Sequence, residues 1–170
     1  MFHAASMAAI LGIPALGATS VFIPLFDPGR AMDLIEGHGV SWTVMVPTMI
    51  GMLLGHPEFR PERLSTLRQL TYGASPMPAA ILNKLLELYP GLEISQGYGM
   101  TEASAVLTWL AASDHFAGGE RLRSAGRPLP GVVLSIQDAD GNPVPKGGTG
   151  EVCAKAGNFM REYWNKPEAT

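Results

Sequence analysis

Hydrophobic positions in the first 110 residues fall into short unbroken apolar runs alternating with longer stretches of helical periodicity. Residues 4–16 are small and apolar with no polar face, predicting a buried helix that Pro14 kinks or ends and Gly17 stops. Residues 20–24 (Ser-Val-Phe-Ile-Pro) predict a short strand covered on both faces. Asp27 and Pro28 supply a helix cap and a first helical residue, and Met32 and Ile35 give that helix an apolar face before His38-Gly39 closes it. Residues 42–46 predict the next strand, and Pro47 opens a helix through Leu54. Residues 68–73 predict a third strand. A further helix is capped by Ser75 and begun by Pro76, with Met77, Ile81, Leu85 and Leu88 at helical spacing and Leu82, Leu86 and Tyr89 widening the stripe. Residues 93–96 predict a fourth strand that runs into a glycine turn.

Strands alternating with helices over short loops predict an α/β fold, a mainly parallel sheet flanked by helices with right-handed crossovers. The segments 73–75 and 97–102 then follow the carboxyl ends of two strands, the edge at which open α/β sheets bind ligands. After Leu110 the pattern changes. Residues 112–123 are polar, contain Gly118-Gly119 and predict a mobile surface loop. Beyond it, residues 132–136 and 150–155 predict strands joined across turns at 138–142 and 145–148. The expected organisation is an α/β lobe over residues 1–111, a loop over 112–123 and the start of a small β region over 124–170.

Composition narrows the function classes. With 46% hydrophobic and 16% charged residues in 170, the chain is globular. A net charge of -3 without a basic stripe argues against a nucleic-acid face. The single Cys153 excludes an internal disulfide and a cysteine-rich zinc site, and fits a reducing, cytoplasmic setting. The apolar stretch 4–26 is interrupted by Gly12, Pro14 and Gly17 and has no basic segment before it, so neither a signal peptide nor a membrane span is expected.

The chemistry concentrates in Gln96-Gly97-Tyr98-Gly99-Met100-Thr101-Glu102. Gly97 and Gly99 permit a tight turn and close approach to a ligand. Tyr98 offers a flat face for a base, Thr101 a hydroxyl for a phosphate, and Glu102 a hard oxygen ligand for Mg²⁺. Taken alone, the stretch reads more readily as an ordinary strand–turn–helix junction, with Thr101 a cap and Glu102 a solvated first-turn acid. A dinucleotide-binding fingerprint is set aside, because the third glycine and the later acidic residue are missing. His38, His56 and His115 fall in turns without ligand spacing. Asp138, Asp140, Gly141 and Asn142 read as a hairpin turn and not a Ca²⁺ loop, and Trp164 is expected to pack in the β region.

This stretch resembles the adenylate-binding core motif of the adenylate-forming superfamily, which holds acyl-CoA synthetases, luciferases and peptide-synthetase adenylation domains. Tyr72-Gly73-Ala74-Ser75-Pro76-Met77 resembles the segment bordering the adenine and acyl pockets, and Phe2-His3 the aromatic–histidine motif at the acyl site. Residues 124–131, Gly150-Glu151-Val152 and residues 163–170 resemble the family's later strands. The resemblance implies that Thr101 contacts the adenylate phosphate and Glu102 helps hold Mg²⁺. Tyr98 would stack on adenine within the Gln96, Gly97, Gly99 turn, and Gly73, Ala74 and Ser75 would line the adenine and acyl end. His3 would sit by the substrate carboxylate. Amino-acid-activating members usually carry an aspartate there, so His3 favours a plain fatty or aromatic acid.

The implied cofactors are ATP/AMP, Mg²⁺ and CoA, and the implied reaction is acyl-adenylate formation followed by transfer to CoA. A non-catalytic adenylate-binding or interaction lobe, and a luciferase-like or carrier-loading enzyme, stay open. The family's phosphate loop, ribose-binding aspartate and C-terminal lysine have no counterpart in these residues. The chain is therefore expected to be one lobe of a larger domain, with Met1 an internal methionine, and to form no thioester alone. An unpaired sheet edge would make it a homo-oligomer candidate.

Overall fold

The computed structural model describes residues 3–170, so Phe2 of the aromatic–histidine pair lies outside the described residues. In chain order the elements are α1 (Ala4–Ala15), α2 (Pro28–His38), β1 (Trp42–Met45), α3 (Pro47–Leu54), β2 (Gln69–Gly73), α4 (Ala79–Leu88), β3 (Glu93–Tyr98), β4 (Thr108–Leu110), α5 (Ala112–Ala117), β5 (Arg127–Pro128), β6 (Val133–Gln137) and β7 (Glu151–Lys155). Strands β1 to β5 form one sheet in chain order. β1, β2 and β3 run parallel, while β4 and β5 add an antiparallel margin. This is the expected α/β architecture of a sheet flanked by helices. β6 and β7 pair as a separate antiparallel hairpin. Its connection is tightened by Asp138, whose Oδ1 accepts from the backbone N–H of Asp140 and Asn142 at 3.0 and 2.9 Å.

The core lies between the sheet and α2–α4. Met32, Ile35, Ile50, Leu53, Leu82 and Leu85 bury against Met45, Leu70, Tyr72 and Ile94. Each such side chain contributes about 1.5–3 kcal/mol when fully buried. The opposite face of the strands carries a polar row. Trp42 Nε1 donates to Thr71 Oγ1 at 3.1 Å, and that hydroxyl lies 3.2 Å from Ser95 Oγ. The α2 boundaries follow the expected chemistry. Asp27 Oδ1 accepts from Arg30 N–H at 2.8 Å, Pro28 is the first helical residue, and Gly39 ends the helix in the left-handed region (φ 61°). Among the described residues no helix is long and apolar enough to cross a membrane.

Several expectations are corrected. Residues 20–24 form no strand, because no neighbouring strand supplies a ladder there; Phe22 is 57% exposed. α1 is a helix but its last turn is not buried, with Leu11 70% and Leu16 87% exposed. Without an amphipathic stripe it has no single face to lay on the core. α4 begins at Ala79 and not at Pro76, and Ser75 does not cap it. Pro78 disfavours helical geometry at Met77, which delays the start. β3 continues through Gly97 and Tyr98, so the turn starts two residues later than expected.

The predicted loop 112–123 contains α5 and a 3₁₀ helix, Gly119–Arg123. His115 of α5, expected in a turn, is buried. It lies 3.1 Å from the Tyr72 hydroxyl through Nε2 and 3.0 Å from the Ala111 carbonyl through Nδ1. A polar composition concealed α5 because a single inward histidine, not an apolar stripe, docks it. Trp164 is 85% exposed and packs in no β core.

Candidate functional site

Parallel pairing of β2 with β3 sets Gly73 opposite Gly97. The two glycine segments therefore leave the sheet side by side at the carboxyl edge, where backbone groups beyond the last ladder bond are available to a ligand. Gly73 is required by this pairing itself. A Cβ there would stand 2.5 Å from the Gly97 carbonyl oxygen. Ala74 follows in the left-handed region (φ 66°), an arrangement that costs a non-glycine residue roughly 1–2 kcal/mol, and turns the chain outward through exposed Ser75.

The motif glycines divide. At Gly97 a Cβ would meet only Trp109 and Val106 side chains at 3.4 and 3.6 Å, ordinary contacts. At Gly99 it would collide with the Ala105 carbonyl and stand 2.8 Å from Val106 Cα. The strand's exit and the chain folding back at 105–106 demand a glycine at 99. Neither glycine has positive φ. Close packing of the chain on itself therefore accounts for Gly99, where the sequence suggested close approach to a ligand.

Tyr98 closes β3 and is 39% exposed, leaving part of its ring open at the edge. The Gln96 side chain is engaged within the fold, its Oε1 accepting from the Tyr72 hydroxyl at 3.3 Å. Burial pushes the Tyr72 phenol up to about 12 and holds the His115 imidazole below its ordinary 6.5. This buried pair, with rings edge to face at 5.6 Å, underpins the motif strand from below. Thr101, exposed, and Glu102, half-buried, begin a three-residue 3₁₀ turn, Thr101–Ala103, that Ser104 ends in the left-handed region (φ 52°). His3 is exposed at the residue preceding α1, with extended backbone (φ -82°, ψ 140°).

A second segment reaches this turn from far along the chain. The Tyr163 hydroxyl donates to Glu102 Oε1 at 2.5 Å, and Met160 N–H donates to the Glu102 carbonyl at 2.7 Å. Asn158 Nδ2 donates to the Ala103 carbonyl at 2.6 Å, and Ser104 Oγ donates to the Asn158 carbonyl at 2.7 Å. The Tyr163 bond, followed by Glu102's own backbone N–H, holds the carboxyl below its usual range, while the partner phenol is raised by the same bond. Sequence reasoning gave Asn158 and Tyr163 no role. Their pairing spans 55 and 61 residues, and no local spacing announces it.

The description "AMP-binding enzyme" matches residues 1–164. Feruloyl-CoA synthase of an Amycolatopsis species is 37% identical over 172 residues, covering all of this chain and 34% of that protein. The fatty acid–[acyl-carrier-protein] ligase ScoC of Streptomyces coeruleorubidus is 36% identical, covering 91% of this chain and 30% of that one. The structure of O-succinylbenzoate coenzyme A synthetase (MenE) from Bacillus subtilis, in complex with ATP and magnesium, superposes with a TM-score of 0.82. It is 28% identical and covers 99% of this chain and 34% of that one. This chain thus spans about a third of the length of the curated relatives it matches. The fold, the ordered motifs and a match over residues 1–164 establish that the chain belongs to the AMP-binding enzyme family.

Proposed function

We propose that this chain carries the adenine, α-phosphate and acyl-side portion of an ATP-dependent acid–thiol ligase, which activates a carboxylic acid as acyl-adenylate and passes it to CoA. The observation that supports this best is the Gly73–Gly97 register, because it brings both motif segments to one edge of one sheet. Exposed Ala74 and Ser75 and the open Tyr98 ring suit a purine, and Thr101 lies three residues on from Tyr98 to meet a phosphate. In the first half-reaction a substrate carboxylate attacks the α-phosphorus and pyrophosphate leaves. In the second the thiol attacks the acyl carbon and AMP leaves. His3 is the proposed polar neighbour of the substrate carboxylate.

Glu102 suits Mg²⁺ by its chemistry. It is a half-buried carboxylate held in its charged form, and two hydrogen bonds leave acceptor capacity among its roughly four lone-pair sites. One protein carboxylate plus phosphate oxygens is a common Mg²⁺ environment. When bound, the cation would neutralise charge on the phosphate. Feruloyl-CoA synthase and ScoC are named for different acyl acceptors. CoA is the acceptor proposed here, and a carrier protein is the second reading.

Thermal unfolding with and without a non-hydrolysable acyl-adenylate analogue plus Mg²⁺ tests the site. At about 100 times Kd a ligand adds about 2.7 kcal/mol, and each kcal/mol moves Tm by about 2–4 °C at this size. A shift of that order, lost in Glu102→Ala and Tyr98→Ala, is expected. A sharp transition that the analogue does not move would refute adenylate binding by this lobe.

A further inference from the structure

Four hydrogen bonds tie the segment 158–163 to the turn 102–104, and only one of them reaches a side chain of the proposed site. The turn cannot fix that side chain by itself. It is a single 3₁₀ turn, followed by Ser104 and Ala105 at φ 52° and 89°, positions that persist only where surrounding structure determines them. Asn158 Nδ2, Met160 N–H and Ser104 Oγ each donate to a backbone carbonyl and so determine the path of the turn. Of the four ties, the one from Tyr163 takes hold of the Glu102 carboxylate.

We propose that Tyr163 is a positioning residue for Glu102, its phenol holding the carboxylate in one orientation for a divalent cation. The proposal rests on the reading of Glu102 as the cation's ligand. The chemistry of the donor favours this over a simple tether. A phenol brings a directional O–H but no positive charge, so it orients the carboxylate without neutralising it, as a lysine or arginine would. It uses one of the acceptor sites and leaves others for a metal. Groups that hydrogen-bond to metal-binding carboxylates act in this way, and their loss typically weakens metal affinity 10–100-fold. The bond also joins the hairpin side of the molecule to the motif, so the 158–163 segment contributes to a site 61 residues earlier in the chain.

The test is the affinity of the intact chain for Mn²⁺ in the presence of AMP, read as free Mn²⁺ by electron paramagnetic resonance well below Tm. Tyr163→Phe is expected to weaken binding at least about tenfold, with little change in Tm because the side chain is 37% exposed. Asn158→Ala loosens the same tie without touching the carboxylate and is expected to weaken binding less. Affinity unchanged in Tyr163→Phe, or weakened equally in Asn158→Ala, overturns the positioning role while Glu102→Ala still abolishes binding. Binding that survives Glu102→Ala, or no binding by the unsubstituted chain, overturns the reading of Glu102 and the proposal with it.

Discussion

Gly97 and Gly99 look equivalent in sequence, yet the structure assigns them opposite tolerances, and an alanine at each position makes the difference measurable. At Gly99 the added methyl would overlap the Ala105 carbonyl and approach Val106 Cα to 2.8 Å. Those obstacles are backbone, so a side-chain rotation cannot relieve them and the return segment must move. Inserting a methyl into so tight a contact costs about 1–3 kcal/mol, or a Tm lower by about 2–12 °C at roughly 2–4 °C per kcal/mol. At Gly97 the methyl would touch Trp109 and Val106 side chains at 3.4 and 3.6 Å. The roughly 0.5–1 kcal/mol that a strand glycine costs relative to alanine offsets any crowding. Gly97→Ala should therefore melt within about 2 °C of the unsubstituted chain. Circular dichroism melts of the two variants decide the matter. Equal losses in both, or no loss in Gly99→Ala, would refute the assignment. Because Gly97→Ala should remain folded, its response to the acyl-adenylate analogue also reports whether a ligand needs the bare backbone at that point.

Three further outcomes are expected. The His115 imidazole is held below its ordinary 6.5 by burial, so below that value the unfolded chain binds more protons than the folded one. Its contribution is complete above pH about 6.5 and is lost as pH falls. Tm should drop between pH 7 and pH 5, less steeply in His115→Gln; parallel profiles would refute this. Tyr72→Phe removes the hydroxyl that contacts His115 and Gln96 and should cost about 1 kcal/mol, seen as a lower urea midpoint. Asp27→Ala removes the bond to Arg30 N–H and should cost about 1 kcal/mol, whereas Asp27→Ser should recover most of it.

What the sequence disclosed depended on the range of the interaction responsible. The α2 cap at Asp27, the closing Gly39 and the Ile81, Leu85 and Leu88 stripe of α4 are written within a few residues of one another, and the structure places them as the pattern implied, although α4 starts only at Ala79 and leaves Met77 outside it. Residues 20–24 have strand composition but no pairing partner, and composition cannot supply one. α5 is the reverse case, a polar segment made helical by burying His115 against a tyrosine 43 residues earlier. The candidate site follows the same rule. Its two glycine segments were legible because βα grammar sends strand ends to one edge, and the register then set Gly73 against Gly97. The role of Gly99 was not legible, because the atoms that forbid a side chain there belong to a return path that no periodicity describes. Tyr163 was invisible as a partner of Glu102 for the same reason, although both residues belong to motifs that the resemblance covers. Motif recognition therefore nominates the residues of the candidate site, and the three-dimensional path between motifs decides which of them hold one another in place.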